Sequence, residues 1–229
     1  MKWGQHFISN DWAKRVVDLI DVQESWKVFE IGTGGGQLTR QLAERGAFVR
    51  SVELDESLFT LASDELMYNK RVKIIRGNAL LIKPEIDERV VTDLPFYISR
   101  KFIEWLVINN VEMAFAILQK EFAEKIVANP GEREYKAVSA LAKYTYEIKS
   151  MLDIPSEAYR PMPPVSSRLM RFIRNQVPPI TKEMVLGLKK AFSSKNKNVT
   201  SLGLLGYRKV FELEPEELID VARRIQAIR

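Results

Sequence analysis

Residues 30–42 read EIGTGGGQLTRQL, with four glycines, Gly32, Gly34, Gly35 and Gly36, between an apolar run (WKVFEI, 26–31) and an amphipathic one. Glycine weakens any regular element it enters, so a cluster belongs where the chain turns sharply or another group comes close to the backbone. An apolar strand, then glycines, then a helix is the layout of a nucleotide-binding first turn in an open α/β sheet. The spacing Gly32-x-Gly34-x-Gly36 is one residue tighter than the dinucleotide fingerprint G-x-G-x-x-G, which disfavours a nicotinamide enzyme.

The rest of the chain supports such a sheet. Short apolar or β-branched runs at 26–31, 47–54, 71–77, 89–94 and 112–119 predict strands, and 144–152 and 167–174 read as extended. Helical spacing at 10–21, 37–45, 56–67, 99–109 and 119–128 separates them, and YKAVSALAKY continues helically. Alternation of this kind predicts a parallel sheet covered on both faces. The paired prolines of NQVPPI (175–180) stop both element types, so a main domain over 1–177 and a small basic helical domain over 178–229 are expected. The latter is predicted to hold helices near 181–192 and 215–227.

Composition removes several chemistries. The 229 residues include no cysteine and one histidine, His6, so a thiol nucleophile, a thiolate or histidine metal cluster and a Ser-His-Asp triad are disfavoured. No apolar stretch reaches the ~20 residues of a membrane span, and the N-terminal residues lack a signal peptide's apolar core. A cytoplasmic protein without membrane contact is expected. The net charge of +5 is uneven: residues 1–159 carry 21 Lys/Arg against 24 Asp/Glu, and residues 160–229 carry 14 against 6. A basic C-terminal region points to an anionic partner, nucleic acid first, and otherwise to a solubilising surface.

Acids and amides stand at the predicted strand ends. Glu30 leads the glycine turn. Glu53, at the end of the second strand, can accept from both hydroxyls of a ribose. Asn78 follows the third strand, where a side chain could read an adenine edge. This constellation resembles class I methyltransferases, which bind S-adenosylmethionine. The fourth strand ends in TDLPFYIS (92–99). Asp93 and the Leu94 carbonyl could accept the two hydrogens of an exocyclic amine, Pro95 would stiffen the turn, and Phe96, or Tyr97, would stack on a flat base. An acid followed by a proline turn is also common for structural reasons.

These segments together resemble the ribosomal RNA adenine N6,N6-dimethyltransferase family, the KsgA/Erm type. KWGQHF resembles its Lys-x-Gly-Gln-x-Phe segment, EIGTGGGQLT its Glu-Ile-Gly-Pro-Gly-x-Gly-x-Leu-Thr motif, and VELD (52–55) and GNAL (77–80) its second and third motifs. DLPFYIS resembles Asn-Leu-Pro-Tyr-x-Ile-Ser, YRPMPPVSS (159–167) resembles Phe-x-Pro-x-Pro-x-Val-x-Ser, and LQKEFAEKIVANPGEREY (118–135) and AFSSKNKNV (191–199) also have counterparts. The resemblance implies a class I S-adenosylmethionine methyltransferase fold with a small C-terminal helical domain. It implies cofactor contacts at His6, Ile8, Gly32, Glu53, Asn78 and Asp93, beside Glu30, Gly34 and Gly36 of the turn. It implies a monomer that dimethylates adenine N6 in small-subunit ribosomal RNA during ribosome assembly. The KsgA branch is favoured by the Gly-Gln segment and by KEFAEKI with its later Pro-Gly. An Erm-like enzyme of large-subunit RNA and a non-catalytic RNA-binding assembly factor are the alternatives.

Three positions depart from the family pattern. Thr33 replaces a proline. Asn78 replaces an aspartate, so its amide oxygen would accept without charge assistance and weaker cofactor binding is expected. Asp93 replaces an asparagine, and burial raises a carboxylate's pKa; monomethylation would follow if the swap limits the reaction. Arg160, Arg168, Lys189, Lys190, Lys195 and Lys197 are the expected grip on RNA phosphates, a solvated basic face being the alternative.

Overall fold

The computed structural model describes residues 6–202 and 207–227. Lys2, Gly4 and Gln5 of the N-terminal motif lie outside them. The chain forms two compact units. One is built from the chain up to Ser99 with Val111–Lys120 and Lys149–Phe172; the other from Arg100–Asn110, Glu121–Ile148 and the chain from Ile173 onward.

The first unit carries most of a seven-stranded sheet. Its strands are β2 (Lys27–Ile31), β3 (Phe48–Glu53), β4 (Val72–Arg76), β5 (Glu88–Asp93), β6 (Met113–Gln119), β7 (Tyr146–Ile154) and β9 (Ser167–Arg174), in the order β4-β3-β2-β5-β6-β9-β7. The pairs β4/β3, β3/β2, β2/β5 and β5/β6 are parallel. Val28, Phe29, Val90, Val91, Ala114 and Leu118 are fully buried, as expected of parallel strands packed on both faces. A two-stranded antiparallel ribbon, β1 (Phe7–Ile8) with β8 (Tyr159–Arg160), pairs Ile8 with Tyr159.

Helices α1 (Asn10–Ile20), α2 (Gln37–Glu44) and α3 (Glu56–Leu66) belong to the same unit. The N-terminus of α3 is fixed by Asp55, whose carboxylate accepts from the Ser57 and Leu58 N–H groups at 2.9 and 3.1 Å, satisfying donors that the helix itself cannot. Trp26 packs beside Phe115 and under the Arg89 guanidinium, a structural role.

The remaining helices are α4 (Ser99–Ile108), α5 (Lys120–Val127), α6 (Ala137–Thr145), α7 (Lys182–Ser193) and α8 (Pro215–Ala227). Within the second unit α7 and α8 pack backbone to backbone: a Cβ on Gly187 would lie 2.7 Å from the Ala222 carbonyl oxygen. Buried Tyr135 donates to the Leu213 carbonyl, and Tyr146 donates to that of Leu106. Residues 178–202 and 207–227 all fall in this unit, joined there by Arg100–Asn110 and Glu121–Ile148. Among the described residues no helix is long and apolar enough to cross a membrane.

Candidate active site

Three adjacent parallel strands, β3, β2 and β5, end side by side, and each delivers a carboxylate: Glu53, Glu30 and Asp93. In an open α/β sheet this carboxyl edge is where ligands bind.

The turn after β2 is shaped by backbone angles only glycine adopts without strain. Gly32, Gly34 and Gly36 have φ of 83°, 55° and 77°. The Gly32 N–H donates to the Val52 carbonyl, and the Gly36 N–H closes the turn on Thr33 at 2.9 Å. A Cβ on Gly34 would lie 3.3 Å from the Phe7 ring, whereas one on Gly32 would meet nothing within 4 Å. The turn is therefore covered at Gly34 and open at Gly32.

Glu53 is buried and held at both oxygens, accepting from Gly34 N–H at 2.9 Å and from Asp55 N–H at 2.8 Å. Each carboxylate oxygen carries two lone pairs, so one on each remains for a ribose hydroxyl. The exposed Asn78 already accepts from Leu80 N–H at 3.0 Å. The second lone pair of its amide oxygen and its amino group are what it can offer a base. An open glycine backbone, a braced acid and an exposed amide in succession fit an adenosine-bearing ligand such as S-adenosylmethionine.

Glu30 is fully buried. It accepts from the Thr39 hydroxyl at 2.6 Å, while its other oxygen is buried without a partner. Burial pushes its pKa up to about 7 against the pull of Thr39 and Ser51, and the Glu53 charge adds to the rise. Thr33 and Ser51 share a 2.6 Å hydroxyl contact beneath the turn. Asp93 keeps some accessible surface but is surrounded closely enough that burial pushes it up to about 8. The Glu30 charge raises it further, and the Tyr159 hydroxyl opposes the rise.

Beyond Asp93 the chain turns at Pro95. Leu94 is buried, its N–H donating to Ile117 at 3.3 Å, and Ser99 donates to the Phe96 carbonyl. His6 lies over this turn. Its Nδ1 is 2.7 Å from the Pro161 carbonyl oxygen, so it carries the proton, and its ring faces Phe96 at 6.2 Å between centroids. Ile8 is buried. The structure thus brings His6, Glu30, Gly32, Gly34, Gly36, Glu53, Asp93, Leu94, Pro95 and Phe96 to one edge. The sequence reading missed the hydroxyl groups among them, Thr39, Ser51, Tyr159 and Ser167. The motif containing Tyr159 and Ser167 was visible, but nothing in its spacing pairs it with Asp93.

The expected RNA contacts differ among themselves. Arg168 makes a fork of bonds to Asp153, which Lys120 also approaches, and Lys189 is paired with Glu104 at 2.7 Å. Arg160 donates to the carbonyls of Glu157 and Tyr159. Lys190, Lys195 and Lys197 enter no ion pair among the described residues. Lys195 lies against Lys136 and lowers its pKa, as two cations crowded together must.

Comparison with known proteins gives findings of three kinds. The family model described as ribosomal RNA adenine dimethylase matches residues 1–217. The chain is 31% identical to a probable ribosomal RNA small subunit methyltransferase A of Pyrococcus furiosus, over 99% of this chain and 93% of that protein. It is 29% identical to the ribosomal RNA small subunit methyltransferase A of Thermotoga maritima, over 98% and 79%. In fold it is similar to a dimethyladenosine transferase from Plasmodium falciparum (TM-score 0.79, 17% identity, 96% and 97% of the two chains). It is also similar to the 23S rRNA methyltransferase ErmE (TM-score 0.68, 20% identity, 96% and 99%).

Proposed function

The chain belongs to the ribosomal RNA adenine dimethylase family, and from that premise we propose that it methylates N6 of adenine in small-subunit ribosomal RNA, using S-adenosylmethionine. When bound, S-adenosylmethionine supplies an electrophilic methyl group on a sulfonium. The observation that carries the reading is Asp93 at the end of β5, beside Glu30 and one strand further from Glu53, with Leu94-Pro95-Phe96 directly after it.

The residues divide the work. Gly32 offers open backbone, Glu53 offers its remaining lone pairs to the ribose, and Asn78 offers its amide to the adenine. His6 and Ile8 close the edge from the N-terminal ribbon. Asp93 and the Leu94 carbonyl hold the two hydrogens of the target amine, with Phe96 against the base. An aryl amine is a poor nucleophile because its lone pair is delocalised into the ring. Two acceptors on its hydrogens favour a pyramidal nitrogen and turn the lone pair outward, so positioning and electrostatics supply most of the rate. Asp93, poised near neutrality, is also matched to take up the proton the amine releases.

The reading takes the protein as a cytoplasmic monomer whose residues 178–229 grip RNA, with Lys190, Lys195 and Lys197 as the cations open to phosphate. The names of the two relatives favour the small subunit. The test is incubation of unmethylated ribosomal subunits with labelled cofactor, followed by mapping of the label. Label on adenines of the small subunit is expected, and Asp93→Ala should reduce transfer ~100-fold or more, as loss of a positioned acceptor does. Label on the large subunit would establish an Erm-like activity instead, and cofactor binding without label would leave an assembly factor.

A further inference from the structure

Tyr159 and Ser167 carry the two buried hydroxyls that the reading above leaves unused. Tyr159 is 2% exposed and Ser167 is fully buried. Neither hydroxyl has a hydrogen-bonded partner. Buried polar groups are nearly always paired, and an unpaired one costs about 1–3 kcal/mol. Two in one place, the phenol beside the Asp93 carboxylate and the serine beside the phenol, therefore call for an explanation.

The surroundings supply it. The groups that act on the Tyr159 hydroxyl are the Asp93 carboxylate and the Ser167 hydroxyl. Asp93 is faced by the Glu30 carboxylate from β2, which repels it, and by Tyr159 from β8, which favours its ionised form; Glu53 from β3 acts on Glu30. The backbone of β8 is pinned by its pairing with β1, Ile8 opposite Tyr159, so the ring cannot leave without opening that ribbon. A phenol has one proton to give and lone pairs to receive, and a serine can supply the second bond. Shortening the two gaps would complete a one-way chain in which Ser167 donates to Tyr159 and Tyr159 donates to Asp93.

We propose that Tyr159 is a positioning residue for Asp93: its hydroxyl, itself held by Ser167, donates to one carboxylate oxygen and leaves the other aimed at the substrate amine. The carboxylate is thereby fixed in rotation, and the repulsion from Glu30 is offset by a dipole rather than by a counter-charge. A lysine or arginine in that place would also hold Asp93, but would lower its proton affinity too far for it to receive the amine's proton. The inference rests on Asp93 being the amine's acceptor, so its test must not depend on turnover alone.

The test is a pH titration of the Asp93 carboxyl by carbon NMR in the full-length protein, assigned with Asp93→Asn. It is repeated in Tyr159→Phe and Ser167→Ala, with melting temperatures recorded for each. Tyr159→Phe should raise the Asp93 midpoint by about one unit, the equivalent of one hydrogen bond to a charged group, and Ser167→Ala should raise it by less. In methyl transfer, Tyr159→Phe should lower kcat about tenfold at neutral pH and move its acid limb upward in step, with KM for the cofactor unchanged. An unmoved Asp93 midpoint in folded Tyr159→Phe and in Ser167→Ala overturns the proposal. A shifted midpoint in a protein that transfers no methyl group keeps the hydrogen bond and removes the functional reading instead.

Discussion

Glu30 and Asp93 lie at the ends of neighbouring strands, and burial raises both, to about 7 and about 8 from ordinary values of 4.5 and 3.8. A carboxyl whose folded-state pKa is raised binds more protons folded than unfolded between the two values. Its contribution to stability is therefore fully present below the unfolded pKa and is lost as pH rises through the folded one. Urea midpoints of the cofactor-free protein should fall from about pH 4 to about pH 8 and level off above that. Glu30→Gln should flatten that fall by an amount on the order of 3 kcal/mol, which is what a rise of this size is worth. The two carboxyls repel each other, so the effects of Glu30→Gln and Asp93→Asn are expected to be less than additive. Activity should have the opposite slope. Transfer by the native protein should rise with pH through a limb near 8, because in the proposed role only ionised Asp93 would accept from the amine and take its proton. Asp93→Asn, which restores the family's residue, should keep measurable transfer and lose that limb; a pH–rate profile of the two proteins separates the cases.

At the scale of elements, Gly187 decides how α7 meets α8. Glycine to alanine inside a helix gains about 1 kcal/mol from propensity. Here the added Cβ would lie 2.7 Å from the Ala222 carbonyl oxygen and 3.2 Å from its Cα, and backbone cannot step aside as a side chain can. Overpacking of this kind costs about 1–3 kcal/mol, so Gly187→Ala should lower the melting temperature despite the helix propensity, and Gly187→Val should lower it further. The same contrast explains what the sequence made legible. The strands β2 to β6 and the helices between them announce themselves through local periodicity, because each buries its own faces. The carboxylates at their ends follow from strand direction alone. The ribbon of β1 with β8 has two residues in each strand, and its partners are about 150 positions apart in the chain, so no window holds its signal. The second unit gathers three separated stretches of chain, whereas the prolines of NQVPPI mark only a local stop. Tyr159 was visible as part of a proline-rich motif, yet only the folded β8 shows its hydroxyl beside Asp93.

For the molecule as a whole, formal charge is a poor guide to which cations meet RNA. Of the 14 Lys/Arg in residues 160–229, Arg168 and Lys189 already bind carboxylates. To contact a phosphate they would have to release a partner, so little net charge is gained. Lys190, Lys195 and Lys197 have no such partner among the described residues, and Lys195 stands against Lys136, a crowding that a phosphate would relieve. Each phosphate neutralised by a free cation adds roughly 0.7–0.9 to the slope of log affinity against log salt. Replacing Lys190, Lys195 and Lys197 together with alanine should therefore flatten that slope by about two to three, in fluorescence anisotropy with a ribosomal RNA fragment between 50 and 300 mM salt as the order-of-magnitude range in which such slopes are read. Lys189→Ala should leave the slope nearly unchanged and instead loosen the pairing of α7 with Glu104, seen as a small drop in melting temperature. If the triple replacement keeps the native slope while Lys189→Ala lowers it, the phosphate grip lies along the paired cations, and an RNA that displaces Glu104 becomes the account to pursue.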